Sequence, residues 1–254
     1  MKDIIAVINQ KGGVGKSTTV LSLGKALAVK GFKILFIDLD AQHNLSYTMK
    51  VNNISSDITS LELLTGKVKA VNAIQHTKQG DIIGSSSSLA LADSVIIETG
   101  KEYRLKKALT EIYANYDYIL IDTPPALGIL TVNALTACTG VIIPAQADIY
   151  SLQGISQLYS TISAVKEYCN PALQVMGILL TRYNSRTIIS RDVAEMIENT
   201  AKQFQTKLYK TKIRECTAIK ESQIKQSDIF NYAQNSNAAI DYISLANEII
   251  KEKK

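Results

Sequence analysis

A glycine-rich loop stands between a predicted strand and a predicted helix near the start of the chain. The loop reads Lys11-Gly12-Gly13-Val14-Gly15-Lys16-Ser17-Thr18. It follows an apolar run at residues 4–8 and precedes an amphipathic segment at 18–30, which is the context that a phosphate-binding loop requires. Glycines let backbone N–H groups approach phosphate oxygens, and the start of the helix adds the positive end of its dipole. The loop therefore predicts a nucleotide site at the edge of a sheet.

The remaining chain alternates short apolar runs with longer amphipathic stretches. We predict strands at residues 4–8, 34–37, 81–84, 118–121, 141–143 and 175–180. We predict helices at residues 18–30, 60–76, 89–97, 103–115, 128–138, 151–168, 188–204 and 237–252. Continuous apolar strands separated by helices indicate an α/β fold, in which a mostly parallel twisted sheet carries helices on both faces. The serine run at 85–88 is too short for a linker and is expected to cap the helix that starts at Leu89. No linker or repeat interrupts the pattern, so a single domain over residues 1–254 is expected.

Composition excludes several other classes of protein. The 254 residues are 46% hydrophobic and 20% charged, which is typical of a globular domain and not of a disordered chain. Three distant cysteines and two histidines at no metal-ligand spacing argue against a disulfide framework and against a zinc site. Neither a signal peptide nor an apolar run of about 18 residues is present, so a cytoplasmic protein is expected and a membrane partner is not.

The glycine-rich loop contains two lysines, of which one, Lys11, is absent from a standard P-loop. Lys16 is predicted to neutralise the β and γ phosphates, and the Ser17 hydroxyl is predicted to ligate Mg²⁺. A strict P-loop has glycine at position 10, whereas this chain has Gln10 followed by an additional lysine, Lys11. The combination resembles the deviant Walker A loop of the ParA/MinD family of P-loop ATPases. That resemblance implies ATP and Mg²⁺ as cofactors, and it implies that Lys11 reaches the nucleotide of a partner subunit across a homodimer interface.

Three aspartates follow predicted strands. Asp122 ends the run at 118–121 and precedes two prolines, which is the Walker B pattern of a carboxylate that holds Mg²⁺. Asp38 and Asp40 follow the run at 34–37, where the family resembled has a D-x-D-P-Q segment. The resemblance implies that Asp38 lies near the metal and that Asp40 activates the attacking water. Ala41 stands where the family usually has proline, so a looser loop is expected here.

The resemblance extends over most of the chain. The segment at 122–135, DTPPALGILTVNAL, is similar to that of chromosome- and plasmid-partitioning ATPases, and the blocks at 143–146, 177–182 and 218–222 are similar as well. These matches point to the ParA branch of the family. They also imply an adenine pocket built from residues 181–184 and 213–221, with Arg214 among the ATP-binding residues. An N-terminal helix-turn-helix domain is not expected, because the loop begins at residue 11.

Basic residues are concentrated in one region. Residues 182–225 contain ten lysines and arginines and five acids, a difference of +5 that equals the net charge of the whole chain. Small ParA proteins bind DNA without sequence preference, which requires basic side chains directed at phosphates. The candidates are Arg186, Arg191, Lys210 and Lys212. Any one of them could instead belong to a solvated basic face.

Three functions are compatible with the P-loop and its associated motifs. The leading one is a nucleoid-associated partition ATPase whose hydrolysis is stimulated by a ParB-type centromere-binding protein. The alternative is a MinD-like membrane-associated regulator of cell division, because the last predicted helix carries an apolar stripe at Ile240, Ile243, Ala246 and Ile250. A third, an iron–sulfur reductase of the same superfold, needs cysteines in a cluster-binding context that Cys138 and Cys169 lack.

Overall fold

The computed structural model describes residues 2–51 and 58–252, which form a seven-stranded sheet covered by helices. The strands are β1 (Asp3–Val7), β2 (Ile34–Asp38), β3 (Ile74–Thr77), β4 (Gly80–Ile83), β5 (Tyr118–Asp122), β6 (Gly140–Ala145) and β7 (Gln174–Leu180). Their order in the sheet is β3-β4-β2-β5-β1-β6-β7. Every neighbouring pair is parallel except β3 and β4. The predicted α/β class and the mostly parallel sheet are confirmed.

Helices connect the strands and cover both faces of the sheet. The α-helices before β5 are α1 (Lys16–Val29), α2 (Asn44–Thr48), α3 (Ser60–Leu64), α4 (Ala70–Ala73), α5 (Ala92–Val95) and α6 (Arg104–Leu109). Those after β5 are α7 (Ile129–Ala137), α8 (Ile149–Tyr168), α9 (Ile188–Gln203), α10 (Thr217–Ile224), α11 (Ile229–Ala233) and α12 (Asn237–Lys251). None of the helices in the described part of the chain combines the length and apolar character that crossing a bilayer demands.

Two hydrophobic cores lie on opposite faces of the sheet. Successive residues of a strand point to opposite faces, so Ile5 and Val7 enter one core while Ala6 and Ile8 enter the other. The first core packs against α1 and α12, and the second packs against α6 through α9. Both faces of the central strands are therefore buried, which explains why their sequences read as continuous apolar runs.

Helix α1 packs tightly against the sheet at Gly24. A Cβ atom at this position would lie 2.2 Å from a ring carbon of Phe36 and 2.9 Å from a methyl group of Leu120. We expect Gly24→Ala to lower the free energy of unfolding by about 1–3 kcal/mol through overpacking. The melting temperature should fall by about 2–4 °C per kcal/mol in a protein of this size. Thermal unfolding followed by circular dichroism measures the change.

Gly154 provides the matched control for this substitution. It lies within α8, where an added Cβ would meet one side-chain oxygen at an ordinary 3.8 Å. Gly154→Ala should leave the protein equally stable or more stable, because alanine is the better helix former. Equal melting temperatures for the two variants would contradict the close packing at Gly24.

The predicted helix at 60–76 is wrong in its second half. Helix α3 ends at Leu64, Gly66 follows with φ of 76°, and the chain then forms α4 and the edge strand β3. β3 runs antiparallel to β4 and is only partly buried. A four-residue edge strand carries too short an alternation to be distinguished from a helix by periodicity.

Other helix predictions needed smaller corrections. The segments predicted as helices at 89–97 and 103–115 contain α5 and α6 with flanking 3₁₀ turns at Ser87–Leu91, Lys101–Tyr103 and Tyr113–Asn115. The prediction that the serine run at 85–88 caps a helix starting at Leu89 is also wrong. The 3₁₀ turn begins at Ser87, and its N-cap residue, Ser86, makes no capping hydrogen bond through its side chain. Short helices α2, α10 and α11 were not predicted.

The last helix packs against the domain. α12 contacts α1, and its buried side chains include Tyr242, Leu245 and Ile249. Of the predicted apolar stripe, Ala246 is buried and Ile243 and Ile250 are partly buried against the core, whereas Ile240 is 51% exposed. Most of the stripe therefore belongs to the core beneath α1.

Candidate nucleotide-binding site

The glycine-rich loop leaves β1 and enters α1 as predicted. Gly13 and Gly15 have φ of 74° and 88°, a left-handed conformation that glycine adopts without steric cost. Helix α1 begins at Lys16, whose side chain is largely buried and whose ammonium donates a 3.3 Å hydrogen bond to the Lys11 carbonyl. Burial lowers the pKa of Lys16, while the charges of Asp122 and Asp40 raise it. The loop thus holds a cation against two carboxylates at the start of a helix.

Side chains from distant strands hold the loop in place. Asn9 accepts a 2.9 Å hydrogen bond from the Lys11 amide and donates one of 2.7 Å to the Pro144 carbonyl at the end of β6. The Thr181 hydroxyl, just after β7, donates to the Val14 carbonyl at 2.8 Å. The sequence did not point to Asn9, and it placed Thr181 only in the predicted adenine segment at 181–184, because each residue holds the loop through a contact that is distant in the chain.

Two buried aspartates lie side by side on neighbouring strands. Asp38 and Asp122 are register partners at the ends of β2 and β5, and both are fully buried. Burial raises the pKa of Asp38 to about 6, against hydrogen bonds from Ser46 and Asp40 that lower it. Burial and the neighbouring charge of Asp38 also raise the pKa of Asp122, well above its usual range. Ionisation of both carboxylates at once is therefore unfavourable unless a cation lies nearby.

Hydrogen bonding separates the roles of the two carboxylates. Asp38 accepts hydrogen bonds from the Asp40 amide at 3.0 Å and from the amide and hydroxyl of Ser46 at 2.9 and 2.7 Å. Neither oxygen of Asp122 has a hydrogen-bond partner among the described residues. The Ser17 hydroxyl lies close enough to lower the pKa of Asp122, although the geometry falls short of a hydrogen bond.

This arrangement fits a magnesium ion that is bound together with phosphates. A buried carboxylate without a hydrogen-bond partner needs a compensating cation. No group of three acidic, histidine or cysteine side chains in the described ranges has the geometry of a metal site made by protein alone. Mg²⁺ in nucleotide sites is held by one or two protein ligands and by substrate phosphates. Asp122 and Ser17 are the residues that would hold it. Asp38, on the neighbouring strand, would lie near the metal.

Asp40 lies at the border between the buried pair and the cleft. It is 8% exposed and lines the cleft beside the phosphate loop. One of its carboxylate oxygens accepts a 3.0 Å hydrogen bond from the Gln42 amide. The predicted hydrolytic residue is therefore the most accessible of the three aspartates.

A cleft of about 830 Å³ extends from the loop toward α10 and α12. That volume lies within the range of sites for small molecules and cofactors. The predicted residues that line it are Gly12, Gly13, Gly15, Lys16, Ser17, Thr18, Asp40 and Arg214. Arg214 is fixed by Asp241, to which its guanidinium donates bonds of 2.6 to 3.2 Å. The predicted adenine segments at 181–184 and 213–221 both contribute to the same cleft.

Four of the predicted nucleotide-site residues do not line the cleft: Lys11, Val14, Asp38 and Asp122. Val14 is a core residue. The Lys11 ammonium lies 2.6 Å from Asp148, the residue that caps the N-terminus of α8, and about a third of each side chain is exposed. Lys11 is thus held beside the cleft of its own chain without lining it.

The predicted DNA-binding residues lie outside the nucleotide cleft. Arg186, Arg191 and Lys210 are exposed, and the Lys212 ammonium lies 4.4 Å from the centre of the Tyr183 ring. None of the four forms an ion pair with a carboxylate in the described ranges. Arg182, Lys202 and Arg214, by contrast, are paired with Glu215, Glu198 and Asp241, respectively.

Known proteins are similar in sequence to this chain over nearly its whole length. The family model described as "AAA domain" matches residues 2–175. The chain is 38% identical to the sporulation initiation inhibitor protein Soj of Bacillus subtilis over 252 residues, covering 98% of both chains. It is 35% identical to the chromosome partitioning protein ParA of Caulobacter vibrioides over 256 residues, covering 99% of this chain and 95% of the relative.

A solved structure shares the fold of this chain and contains a nucleotide analogue. A protein titled cobyrinic acid a,c-diamide synthase, from Mycobacterium smegmatis, superposes with a TM-score of 0.86 at 33% identity and contains an ATP analogue and magnesium. The alignment covers 100% of this chain and 96% of that one. In this chain, the phosphate loop, Asp122 and the cleft are the features that would hold a nucleotide with its metal ion. The chain belongs to the ParA/Soj-type partition ATPases and uses ATP and Mg²⁺.

Proposed function

We propose that this ATPase segregates DNA through a cycle of nucleotide-dependent dimerisation. ATP binding brings two copies together, the dimer binds nucleoid DNA without sequence preference, and a ParB-type partner bound to the cargo stimulates hydrolysis and release. When bound, Mg²⁺ would neutralise the negative charge of the phosphates. Lys16 orients the phosphates, and Asp40 takes a proton from the attacking water. The observation that carries the proposal is the position of Lys11, which lies beside its own cleft and does not line it.

Dimerisation is supported by the surface around Lys11. Helices α8 and α9 begin at the same edge of the sheet as the phosphate loop, because β6 and β7 run parallel to β1. Large apolar side chains at these two helix starts are between 55% and 72% exposed: Ile149, Tyr150, Ile188 and Ile189. Exposed apolar residues beside a charged group are typical of a surface that another protein covers. A second copy would place its own Lys11 opposite this cleft.

DNA binding is supported by the basic side chains that lack acidic partners. Arg186 and Arg191 flank the start of α9, close in sequence to the apolar residues of the same edge. A basic side chain without a carboxylate partner can neutralise a phosphate and release a counterion. Lys210 and Lys212 lie on the segment between α9 and α10. The four residues therefore form the first set to test as a DNA-contacting surface.

The decisive experiment measures binding to a random-sequence DNA duplex at low salt with ATP, with ADP and without nucleotide. We expect binding only with ATP, and we expect log K to fall with log salt by about 0.9 per phosphate contact. Arg186→Ala with Arg191→Ala should reduce this slope by about 1 for each lost contact. Lys202→Ala is the control on the same helix, since Lys202 pairs with Glu198 at 3.0 Å. Absence of binding in every nucleotide state would reject the proposal, and vesicle sedimentation would then test the membrane-associated alternative.

Lys11→Ala should abolish the ATP-dependent dimer while monomers still bind nucleotide. The reason is that Lys11 does not line its own cleft but would complete that of the partner. Gel filtration with and without ATP, together with a fluorescent-nucleotide titration, measures both properties. Asp148→Asn is the matched variant, because asparagine preserves the helix cap of α8 and removes only the charge that holds Lys11. An intact ATP dimer in Lys11→Ala would refute the role in trans.

A further inference from the structure

Three buried serines surround the turn that joins Asp38 to Asp40. Ser46 comes from α2, Ser60 from α3 and Ser85 from the segment after β4, and each is at most 1% exposed. The Ser60 hydroxyl donates a 2.7 Å hydrogen bond to the backbone carbonyl of Asp38, and the Ser46 hydroxyl donates one of 2.7 Å to its carboxylate. The turn is therefore held by residues from three separate elements.

Ser85 makes the contact nearest to the proposed hydrolytic residue. Its hydroxyl donates a 2.5 Å hydrogen bond to the backbone carbonyl of Asp40, which also accepts a 2.9 Å bond from the His43 amide. The Ser85 amide in turn donates to the Ser46 hydroxyl at 2.9 Å. Ser85 thus links the backbone of Asp40 to the group that holds Asp38.

The turn restrains Asp40 through local hydrogen bonds from the amides of Gln42 and His43, but its own backbone conformation is unfavourable. Residues 41–43 contain neither proline nor glycine, and His43 is held at φ of 44°, an unfavourable conformation for a residue with a side chain. Such a conformation persists only where the surrounding structure imposes it. The surrounding structure here is the buried serine group, and Ser85 is its contact with Asp40.

We infer that Ser85 is a positioning residue for hydrolysis, which sets where the Asp40 carboxylate lies in the cleft. This inference rests on the proposed role of Asp40 in activating water. Ser85 does not line the cleft and touches Asp40 only through the backbone. Loss of its hydroxyl would therefore shift a reacting group and leave the phosphate loop, and hence ATP binding, intact.

The test compares kcat and ATP affinity in serine variants. Ser85→Ala should lower kcat by about tenfold or more, since misplacement of a reacting group by about 1 Å can cost as much as 10²-fold. The KM for ATP should stay within about twofold of wild type, because ground-state binding is untouched. Ser85→Cys keeps a weak hydrogen-bond donor, so its kcat should lie between those of the wild type and Ser85→Ala. This variant carries the test if Ser85→Ala does not fold. Ser88→Ala is the control, since Ser88 belongs to the same serine run but is exposed.

A double variant separates this inference from the proposed function. If Ser85 acts through Asp40, then adding Ser85→Ala to Asp40→Asn should not lower the residual turnover further. The positioning role alone would be overturned if Ser85→Ala lowered the turnover of Asp40→Asn by the same factor as it lowers that of the wild type. A wild-type kcat in the single variant Ser85→Ala would overturn it as well. Wild-type turnover in the single variant Asp40→Asn would instead overturn the proposed role of Asp40 itself.

Discussion

Asp40→Asn is expected to stop ATP hydrolysis while ATP binding continues. Asparagine retains an oxygen that can accept the Gln42 amide, so the loop geometry is preserved. It has no carboxylate to take a proton from water, and general-base catalysis typically contributes about 10²–10⁴-fold to the rate. Single-turnover hydrolysis of labelled ATP measures the rate, and gel filtration measures the nucleotide that remains bound.

Asp40→Ala serves as the companion to this variant. It removes both the base and the acceptor for Gln42, so a larger effect on ATP affinity than in Asp40→Asn would come from the loop and not from the chemistry. The proposed role predicts that both variants accumulate the ATP-bound dimer. Turnover at the wild-type rate in Asp40→Asn would contradict it.

Lys16→Ala is expected to abolish productive ATP binding. Lys16 is the cation at the start of α1, and its ammonium is held above the loop by the Lys11 carbonyl. Its removal leaves the β and γ phosphates without a fixed positive charge and takes away the cation that interacts with Asp122 and Asp40. Loss of one such electrostatic contact costs about 10²–10³-fold in turnover, and here a loss of affinity should accompany it. Isothermal titration with Mg²⁺-ATP and a steady-state assay measure the two effects.

Lys30→Ala is the control for Lys16→Ala, because it removes the same charge from an exposed position at the other end of α1. It should bind and hydrolyse ATP as the wild type does. If Lys16→Ala retained wild-type kcat/KM, the phosphate loop would have to bind nucleotide through its backbone alone.

The sequence predicts the centre of this fold better than its margins. Strands β1, β2 and β5 are buried on both faces, so their apolar runs are unambiguous. β3 lies at the sheet edge and is recognised only through its pairing with β4, which a local pattern does not contain. In α12 only Ile240 departs from the predicted apolar stripe, since the position of α1 decides which side of that helix is covered.

The site residues likewise fall into those that a local motif predicts and those that depend on distant contacts. Lys16, Ser17 and the three aspartates follow from motifs, because the chemistry requires those residue types beside a strand end. Asn9 was not predicted, and Thr181 was predicted only as part of an adenine segment, because their hold on the loop depends on carbonyl partners 135 and 167 residues away. Ser85 was interpreted as a local cap, yet its hydroxyl reaches Asp40, 45 residues earlier in the chain. Such contacts are set by the order of strands in the sheet.

That strand order also has a consequence for how the protein is made. β1 carries the phosphate loop but pairs with β5 and β6, whose residues come more than 110 positions later. β2 pairs with β5 as well and has no contact with β1 in the sheet. A ribosome must therefore complete nearly half of the polypeptide before the strand behind the loop gains its first neighbour. Contacts so distant in sequence favour slow folding, and the nascent chain must stay free of misfolding during that interval.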